Sequence, residues 1–180
     1  MNDNYAPADL TNIPTQYTFN KSKIYKIHDE VWPHLKDLMN DAQDDNLSIL
    51  VVSAFRSFGE QAVLKGAYTV SYGAGTANQF SADQGYSEHQ LGTTVDFTNP
   101  TVADSFSGFA QSKEYKWLLA NAYKYGFVLS YHQGNSYYQF EPWHWRFVGR
   151  DLAKDLHKDG KNFYDLTQRE IDEYVVNLFD

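Results

Sequence analysis

Cysteine is absent from this chain of 180 residues. The absence excludes disulfides, thiolate metal sites and cysteine nucleophiles. It suits an extracytoplasmic protein, but many cytosolic proteins also lack cysteine, so the compartment is only weakly indicated. Clustered lysine and arginine are missing too, and the formal net charge is −8. Nucleic acid is therefore excluded as the expected partner, because phosphate neutralisation needs a basic face.

Long apolar runs are also absent. No run approaches the roughly 18 residues of a membrane-spanning helix, and Met1 to Leu10 lack the charged and apolar regions of a secretory signal. We expect no membrane segment here, and a signal or anchor would have to lie outside this chain. The length predicts an irregular N-terminal leader over residues 1–20 and a single domain over 21–180. A domain of this size can fold without a partner, so a monomer is expected.

Aromatic residues, in contrast, are abundant, with 14 Tyr, 12 Phe and 4 Trp making up 17% of the chain. Such a surplus is compatible with a groove that stacks on sugars or peptides. The simpler interpretation is that aromatics fill a small mixed core.

The hydrophobic pattern predicts helices that flank a small sheet. Helical spacing of apolar residues indicates a helix over about 23–43, kinked or restarted at Pro33. Further helices are expected over 59–71, from Ser112 to Gly126, across 148–156 and after the capping box that begins at Thr167.

Short β-branched and aromatic runs predict the strands. They lie at 47–54, 93–97 and from residue 127, and a turn at 134–135 suggests a hairpin to 137–140. Residues 72–84 are rich in small and polar residues and are expected to form a loop. The fold class is therefore α+β, a small antiparallel sheet flanked by helices.

Two polar residues stand out near the middle of the chain. His89 follows the predicted loop, and Asp96 comes seven residues later in an apolar strand. The two side chains can converge if the chain turns at Gly92. An unpaired carboxylate in such a strand is costly, so Asp96 needs a cation or strong donors. A carboxylate that caps a turn remains the alternative.

A second pair lies in the segment 141–146 (EPWHWR). Apolar surroundings raise the pKa of a carboxyl group, which suits Glu141 as a general base. In a regular strand Glu141 and His144 would face opposite sides. They share a side only if the backbone turns there, for instance at Pro142, and the sequence leaves this open.

Together, two histidines and one aspartate provide three protein ligands and leave a fourth zinc position for water. This pattern is typical of a catalytic zinc rather than a closed structural one. The helical HExxH motif of common zinc proteases is absent from the sequence.

Three blocks in order resemble one known family. Residues 53–61 (SAFRSFGEQ), 85–96 (GYSEHQLGTTVD) and 141–149 (EPWHWRFVG) resemble the conserved blocks of the VanY-like D-alanyl-D-alanine carboxypeptidases. Together with Tyr125-Gly126-Phe127, the resemblance covers roughly residues 45–155. It implies a hedgehog/D-Ala-D-Ala-peptidase-like fold and a zinc peptidase that acts on peptidoglycan stem peptides at the cell envelope.

The resemblance also implies a role for each matched residue. His89, Asp96 and His144 would hold Zn²⁺, Glu141 would be the base, and Arg56 would bind the substrate carboxylate or the developing oxyanion. The expected substrate-binding residues are Gln61, Ser87, Tyr131 and Trp145, although aromatic core packing explains Tyr131 and Trp145 almost as well.

Three functions remain compatible with the sequence. The favoured one is removal of the C-terminal D-alanine, either by D,D-cleavage of a pentapeptide or by L,D-cleavage of a tetrapeptide. An endopeptidase or phage-type lysin would instead need a groove open at both ends. A zinc-bearing binding domain without turnover is disfavoured by the presence of Glu141.

Overall fold

The computed structural model describes residues 5–73, 75 and 81–175. Two small antiparallel sheets are formed within these ranges. One pairs β1 (Leu10–Asn12) with β2 (Lys26–His28). The other has the order β3-β4-β6-β5, and its strands are β3 (Leu50–Ser53), β4 (Thr94–Thr98), β5 (Phe127–Leu129) and β6 (His144–Phe147).

Helices surround the four-stranded sheet, connected by short 3-10 turns. Their bounds are α1 (Trp32–Asp44), α2 (Phe58–Tyr72), α3 (Lys113–Asn121), α4 (Arg150–Asp159) and α5 (Gln168–Val175). Apolar residues of α1, α3 and the central strands fill one core, in which Leu38, Phe97 and Leu118 are fully buried. The architecture confirms the α+β class predicted from the sequence.

Helix starts follow their capping residues. At α2, the Ser57 side chain accepts from the backbone N–H of Glu60, and the Glu60 carboxylate accepts from the backbone N–H of Ser57. The predicted capping box of α5 is likewise present, with the Thr167 N–H 2.7 Å from Glu170. Each cap satisfies backbone donors that have no partner inside the helix.

The predicted helix over 23–43 is wrong in its first part. Residues 26–28 form β2, and α1 begins only at Trp32. Pro33 lies in the first turn of α1, where its missing N–H costs nothing, so it marks a start and not a kink. The sequence misled because a strand of three residues is too short to show alternation.

The predicted hairpin between residues 127 and 140 is also wrong. Strand β5 pairs with β6, and no strand is found at 137–140. Instead, the Asn135 side-chain oxygen accepts from the backbone N–H groups of Tyr137 and Tyr138. The Asn135 side chain therefore stabilises a loop at this position. Strand β5 pairs with β6 and not with residues 137–140.

The stretch expected to be an irregular leader is partly regular in its described portion, 5–20. It supplies β1, and its Ile13 and Tyr17 are buried in the core. Its Leu10 side chain lies 3.1 Å from the position that a Cβ on Gly92 would take. These residues therefore pack against the body of the protein. Of the predicted 72–84 loop, Tyr72 instead ends α2, residues 74 and 76–80 lie outside the described residues, and 81–84 are irregular.

Gly126 ends a 3-10 turn that follows α3 and has a φ of 88°. A Cβ there would lie 2.6 Å from the Phe147 ring. The close approach lets β5 and β6 pair directly after the turn. Among the described residues, no helix combines the length and the apolar character needed to cross a membrane.

Candidate functional site

The sheet brings the three predicted metal ligands together. Asp96 lies in the middle of β4, directly opposite His144 at the start of β6. His89 comes from a 3-10 turn that ends at Gly92, whose left-handed φ of 71° turns the chain into β4. One ligand atom from each side chain lies within 4.8 Å of the others, and all three residues are buried.

His89 presents its Nε2 atom to the site. Its Nδ1 lies 2.7 Å from the backbone oxygen of Ala54, which can only accept a hydrogen bond. The Nδ1 therefore carries the proton, and Nε2, 3.2 Å from Asp96 Oδ2, keeps its lone pair. Burial lowers the pKa of His89, so the ring tends to the neutral form that a metal requires.

His144 presents the opposite nitrogen. Its Nδ1 lies 3.1 Å from Asp96 Oδ1, and its Nε2 lies 2.7 Å from Glu88 Oε2. Burial acts to lower the pKa of His144, but hydrogen bonds to the Asp96 and Glu88 carboxylates outweigh it and raise the pKa to about 10. Without a cation, a proton on this ring balances the charge of the carboxylates.

Two imidazole nitrogens and one carboxylate fit zinc. Burial raises the pKa of Asp96, but the neighbouring histidines, with the hydrogen bond from His144 among their contributions, hold it well below its usual range. Asp96 is therefore ionised, and the set offers three donors that zinc accepts, with space for a fourth ligand. Each histidine is also oriented by an acceptor on its other nitrogen, as ring ligands of metals usually are.

Glu141 shares a side with His144 because the backbone turns between them. The His144 N–H donates to the Glu141 backbone oxygen at 3.1 Å, and β6 begins only at His144. The Glu141 carboxylate lies 3.7 Å from His144 Nδ1. Burial raises the pKa of Glu141 to about 7, a range suited to proton transfer near neutral pH.

Arg56 is held in place at the edge of the site. Its guanidinium donates to Gln61 Oε1 at 2.6 Å and to Ser53 Oγ at 2.9 Å, and it lies 3.9 Å from Asp96 Oδ2. Gln61 is buried, and its amide nitrogen donates to the Ala82 backbone oxygen at 2.7 Å. Gln61 thus links Arg56 to the segment that begins at residue 81.

A cavity of about 390 Å³ opens over these groups, which is within the usual range for ligand sites. Arg56 and Gln61 line it together with Ser87 and Tyr131. The Tyr131 ring stacks on the His144 ring with 4.6 Å between centroids. Burial raises the pKa of Tyr131 far above its usual range, so its hydroxyl remains a hydrogen-bond donor.

Trp145 does not line this cavity, contrary to the sequence prediction. It belongs to the core, and its indole N–H donates to the Pro142 backbone oxygen at 3.0 Å. The reason is the alternation of a strand, which turns Trp145 to the face opposite His144. Trp143 lines the cavity instead, with its ring stacked 4.4 Å from Phe106.

Glu88 was not assigned a function from the sequence. It lies directly before His89 within the block 85–96, but a glutamate in a turn is usually exposed, and nothing in the sequence indicates its burial. The structure buries it between His144, Arg146 and Tyr164. Tyr164 lies far along the chain and carries no sequence signal for this contact.

The family model described as VanY, D-alanyl-D-alanine carboxypeptidase, matches residues 24–150. The chain belongs to the VanY family. The chain is 32% identical to the putative carboxypeptidase YodJ of Bacillus subtilis strain 168 over 181 residues, which cover 97% of this chain and 64% of YodJ. The family predicted from the three sequence blocks is thereby confirmed.

Solved structures of the VanY family share the fold. The LdcB LD-carboxypeptidase superposes with a TM-score of 0.80 at 31% identity, covering 89% of this chain and 78% of LdcB. A VanY D,D-pentapeptidase mutant in complex with Zn(II) has a TM-score of 0.69 at 27% identity, with coverages of 92% and 94%. The chain spans 64%, 41% and 59% of the length of three curated relatives.

Proposed function

We propose that this protein is a zinc-dependent carboxypeptidase that removes the C-terminal D-alanine from peptidoglycan stem peptides at the cell envelope. The observation that carries the proposal is the convergence of His89, Asp96 and His144 below a cavity that also holds Glu141 and Arg56. Membership of the VanY family and the likeness to a Zn(II)-bound relative support it.

In this proposal His89 Nε2, His144 Nδ1 and an Asp96 oxygen hold the metal. When bound, zinc would polarise the scissile carbonyl and make a water nucleophilic near neutral pH. The three side chains need no rearrangement to act as ligands, because their donor atoms already face one another. The protein's own contribution is to fix the two rings, through the Ala54 backbone oxygen for His89 and the Glu88 carboxylate for His144.

Glu141 is proposed as the group that moves the proton. With a pKa of about 7 it can accept a proton from the attacking water and release it to the leaving amine. Its backbone is fixed on both sides, since its N–H donates to the Tyr131 backbone oxygen at 3.1 Å and its oxygen accepts from His144. The carboxylate is therefore held beside the metal ligands.

Arg56 is proposed to bind the substrate carboxylate or the oxyanion that forms during cleavage. Its planar guanidinium is fixed by Gln61 and Ser53, so one face can serve a ligand at little entropic cost. Ser87, Tyr131 and the Phe106–Trp143 pair would contact the rest of the peptide, and Gln61 would act by holding Arg56.

The test is mass spectrometry of purified muropeptides after incubation with the zinc-loaded protein. Loss of one D-alanine from pentapeptide indicates D,D-cleavage, and loss from tetrapeptide indicates L,D-cleavage. Glu141→Gln should lower the rate by about 10²–10⁴-fold, because the general base is lost while the shape is kept. The exposed Glu173 supplies the matched control, Glu173→Gln.

Two results would overturn the proposal. Larger fragments would identify an endopeptidase that cuts within the stem. Unchanged muropeptides in the presence of one bound zinc per chain would instead identify a binding domain without turnover.

A further inference from the structure

We infer that Glu88 is a positioning residue for the metal ligand His144, and that Tyr164 and Arg146 hold Glu88 in place. The turn Phe163–Asp165 thereby becomes part of the support of the metal centre. This inference rests on the proposed zinc function and adds to it a group of residues that lies behind the ligand.

Three donors converge on the Glu88 carboxylate. Its Oε2 lies 2.7 Å from His144 Nε2, while its Oε1 accepts from Arg146 at 2.9 Å and from the Tyr164 hydroxyl at 2.6 Å. Glu88 is only 5% exposed. A buried carboxylate is tolerated when it is paired and hydrogen-bonded, and both of its oxygens have partners here.

The contact determines which nitrogen of His144 is available. Carboxylates face both nitrogens, at 2.7 Å for Nε2 and 3.1 Å for Nδ1, so with a cation held between Nδ1 and Asp96 the proton of a neutral His144 would lie on Nε2 and be donated to Glu88. Such a carboxylate also orients the ring and raises its basicity as a ligand. The Tyr131 ring covers one face of His144, so the ring is restrained in its plane as well.

The turn Phe163–Asp165 completes the arrangement. The Arg146 guanidinium lies 4.3 Å from the Phe163 ring centroid, and the neighbouring Tyr164 reaches Glu88. Asn162 and Asp165 form a capping box at the start of the turn, in which the Asp165 carboxylate accepts from the Asn162 backbone N–H at 2.9 Å. These residues lie beyond the 24–150 range that the family model matches.

Tyr164 gives the sharpest test, because the residue is 42% exposed while its hydroxyl reaches the buried Glu88 carboxylate. Tyr164→Phe removes that hydroxyl and leaves the packing intact. The matched control is Tyr174→Phe, which removes a hydroxyl bonded to Asp155 at 2.8 Å in the same region of the chain. Glu88→Gln removes the charge directly.

Zinc affinity is measured by competition with a chromogenic chelator. We expect Glu88→Gln to weaken it by about 10–100-fold and Tyr164→Phe by about tenfold, the range found for outer partners of metal-bound histidines. Tyr174→Phe should bind zinc as the parent does. Parent-like affinity in both Glu88→Gln and Tyr164→Phe would overturn the inference, even if the parent is an active zinc carboxypeptidase.

A second readout separates positioning from general stability. In the zinc-loaded parent, ¹⁵N NMR of the histidine rings should show a slowly exchanging proton on His144 Nε2 and one on His89 Nδ1. Tyr164→Phe should accelerate exchange at His144 alone. Equal effects on both rings would mean a merely structural role and would overturn the inference, as would a parent that binds no zinc.

Discussion

At the scale of single residues, charge in the site is balanced around His144. Buried carboxylates face both of its nitrogens, Asp96 on one side and Glu88 on the other. In the metal-free protein the protonated ring carries an N–H on each nitrogen and can donate to both carboxylates. A divalent cation would replace the proton on His144 Nδ1, while the proton on Nε2 would remain hydrogen-bonded to Glu88. Metal binding and the protonation of His144 are therefore linked.

Arg56 provides the prediction at this scale. Arg56→Lys keeps the positive charge but loses the fork that holds Gln61 and Ser53 together. We expect kcat/KM for D-alanine release to fall by about 10²–10³-fold, as for loss of one oxyanion donor, with zinc still bound at one equivalent. Steady-state kinetics with a stem peptide measures this.

The matched control is Arg150→Lys at the exposed first residue of α4, which should leave kcat/KM unchanged. If Arg56→Lys kept the kcat/KM of the parent, Arg56 would have no specific part in binding the substrate.

Residues of the site were predictable where local motifs determine them. His89, Asp96, His144 and Glu141 lie in short blocks of the sequence, and the structure brings them together. Glu88 and Tyr164 were not predictable, since their contact joins residues 76 positions apart. The choice between Trp143 and Trp145 depends on where the turn ends and β6 begins, which the sequence left open.

At the scale of elements, the capped N-terminus of α2 lies next to residues of the site. Its N-cap Ser57 follows Arg56 directly, and its first turns carry Gln61. Burial raises the pKa of Glu60, but hydrogen bonds from the Ser57 side chain and backbone lower it below its usual value overall. The ionised carboxylate therefore helps to fix the start of α2 beside Arg56.

Ser57→Ala removes one half of this capping box. We expect a loss of about 1 kcal/mol in the free energy of unfolding at neutral pH, measured by urea denaturation. Because the folded pKa of Glu60 is depressed, its contribution is present above its unfolded pKa and is lost as pH falls through the folded value. The difference between parent and variant should therefore shrink at acid pH.

A control substitution in the same helix tests whether the effect belongs to the capping box. Ser71→Ala, near the exposed C-terminal end of the same helix, serves as the control and should cost much less. A difference between parent and Ser57→Ala that is the same at neutral and acid pH would contradict a role for the ionised Glu60.

Elements were predicted well where the periodicity runs long. α4 and α5 follow their predicted apolar spacing, α5 also follows its predicted capping box, and β3 and β4 follow their β-branched runs. The errors concern three-residue strands, which are fixed by partners distant in the sequence. Lys26–His28 pairs with Leu10–Asn12, and Phe127–Leu129 pairs with β6 rather than with the nearest downstream segment.

At the scale of the whole molecule, distant parts of the chain meet at the proposed metal centre. The described N-terminal portion packs on the turn after His89, where Leu10 and Pro7 lie close to Gly92. The turn Phe163–Asp165 reaches the site from the side of His144, where the Tyr164 hydroxyl donates to Glu88. The proposed zinc would therefore bind the folded chain far better than the unfolded one.

This selectivity predicts a zinc-dependent melting temperature. At a free zinc concentration 100 times Kd, stabilisation is about 2.7 kcal/mol, which raises Tm by roughly 5–11 °C for a domain of this size. Scanning calorimetry with and without zinc measures the shift. Asp96→Asn keeps the shape of the ligand but not its charge, so this variant should show no rise in Tm with zinc. A parent protein whose Tm does not change with zinc would contradict the proposed metal centre.

The separation of the ligands along the chain also has a consequence for biosynthesis. His144 meets Asp96 and Glu88 across 48 and 56 residues, so long loops must close before the site exists, and such closure is slow. On the ribosome, a nascent chain shorter than residue 144 cannot assemble the ligand set. We therefore expect zinc binding to follow translation of β6, so that a polypeptide truncated before His144 lacks the complete ligand set.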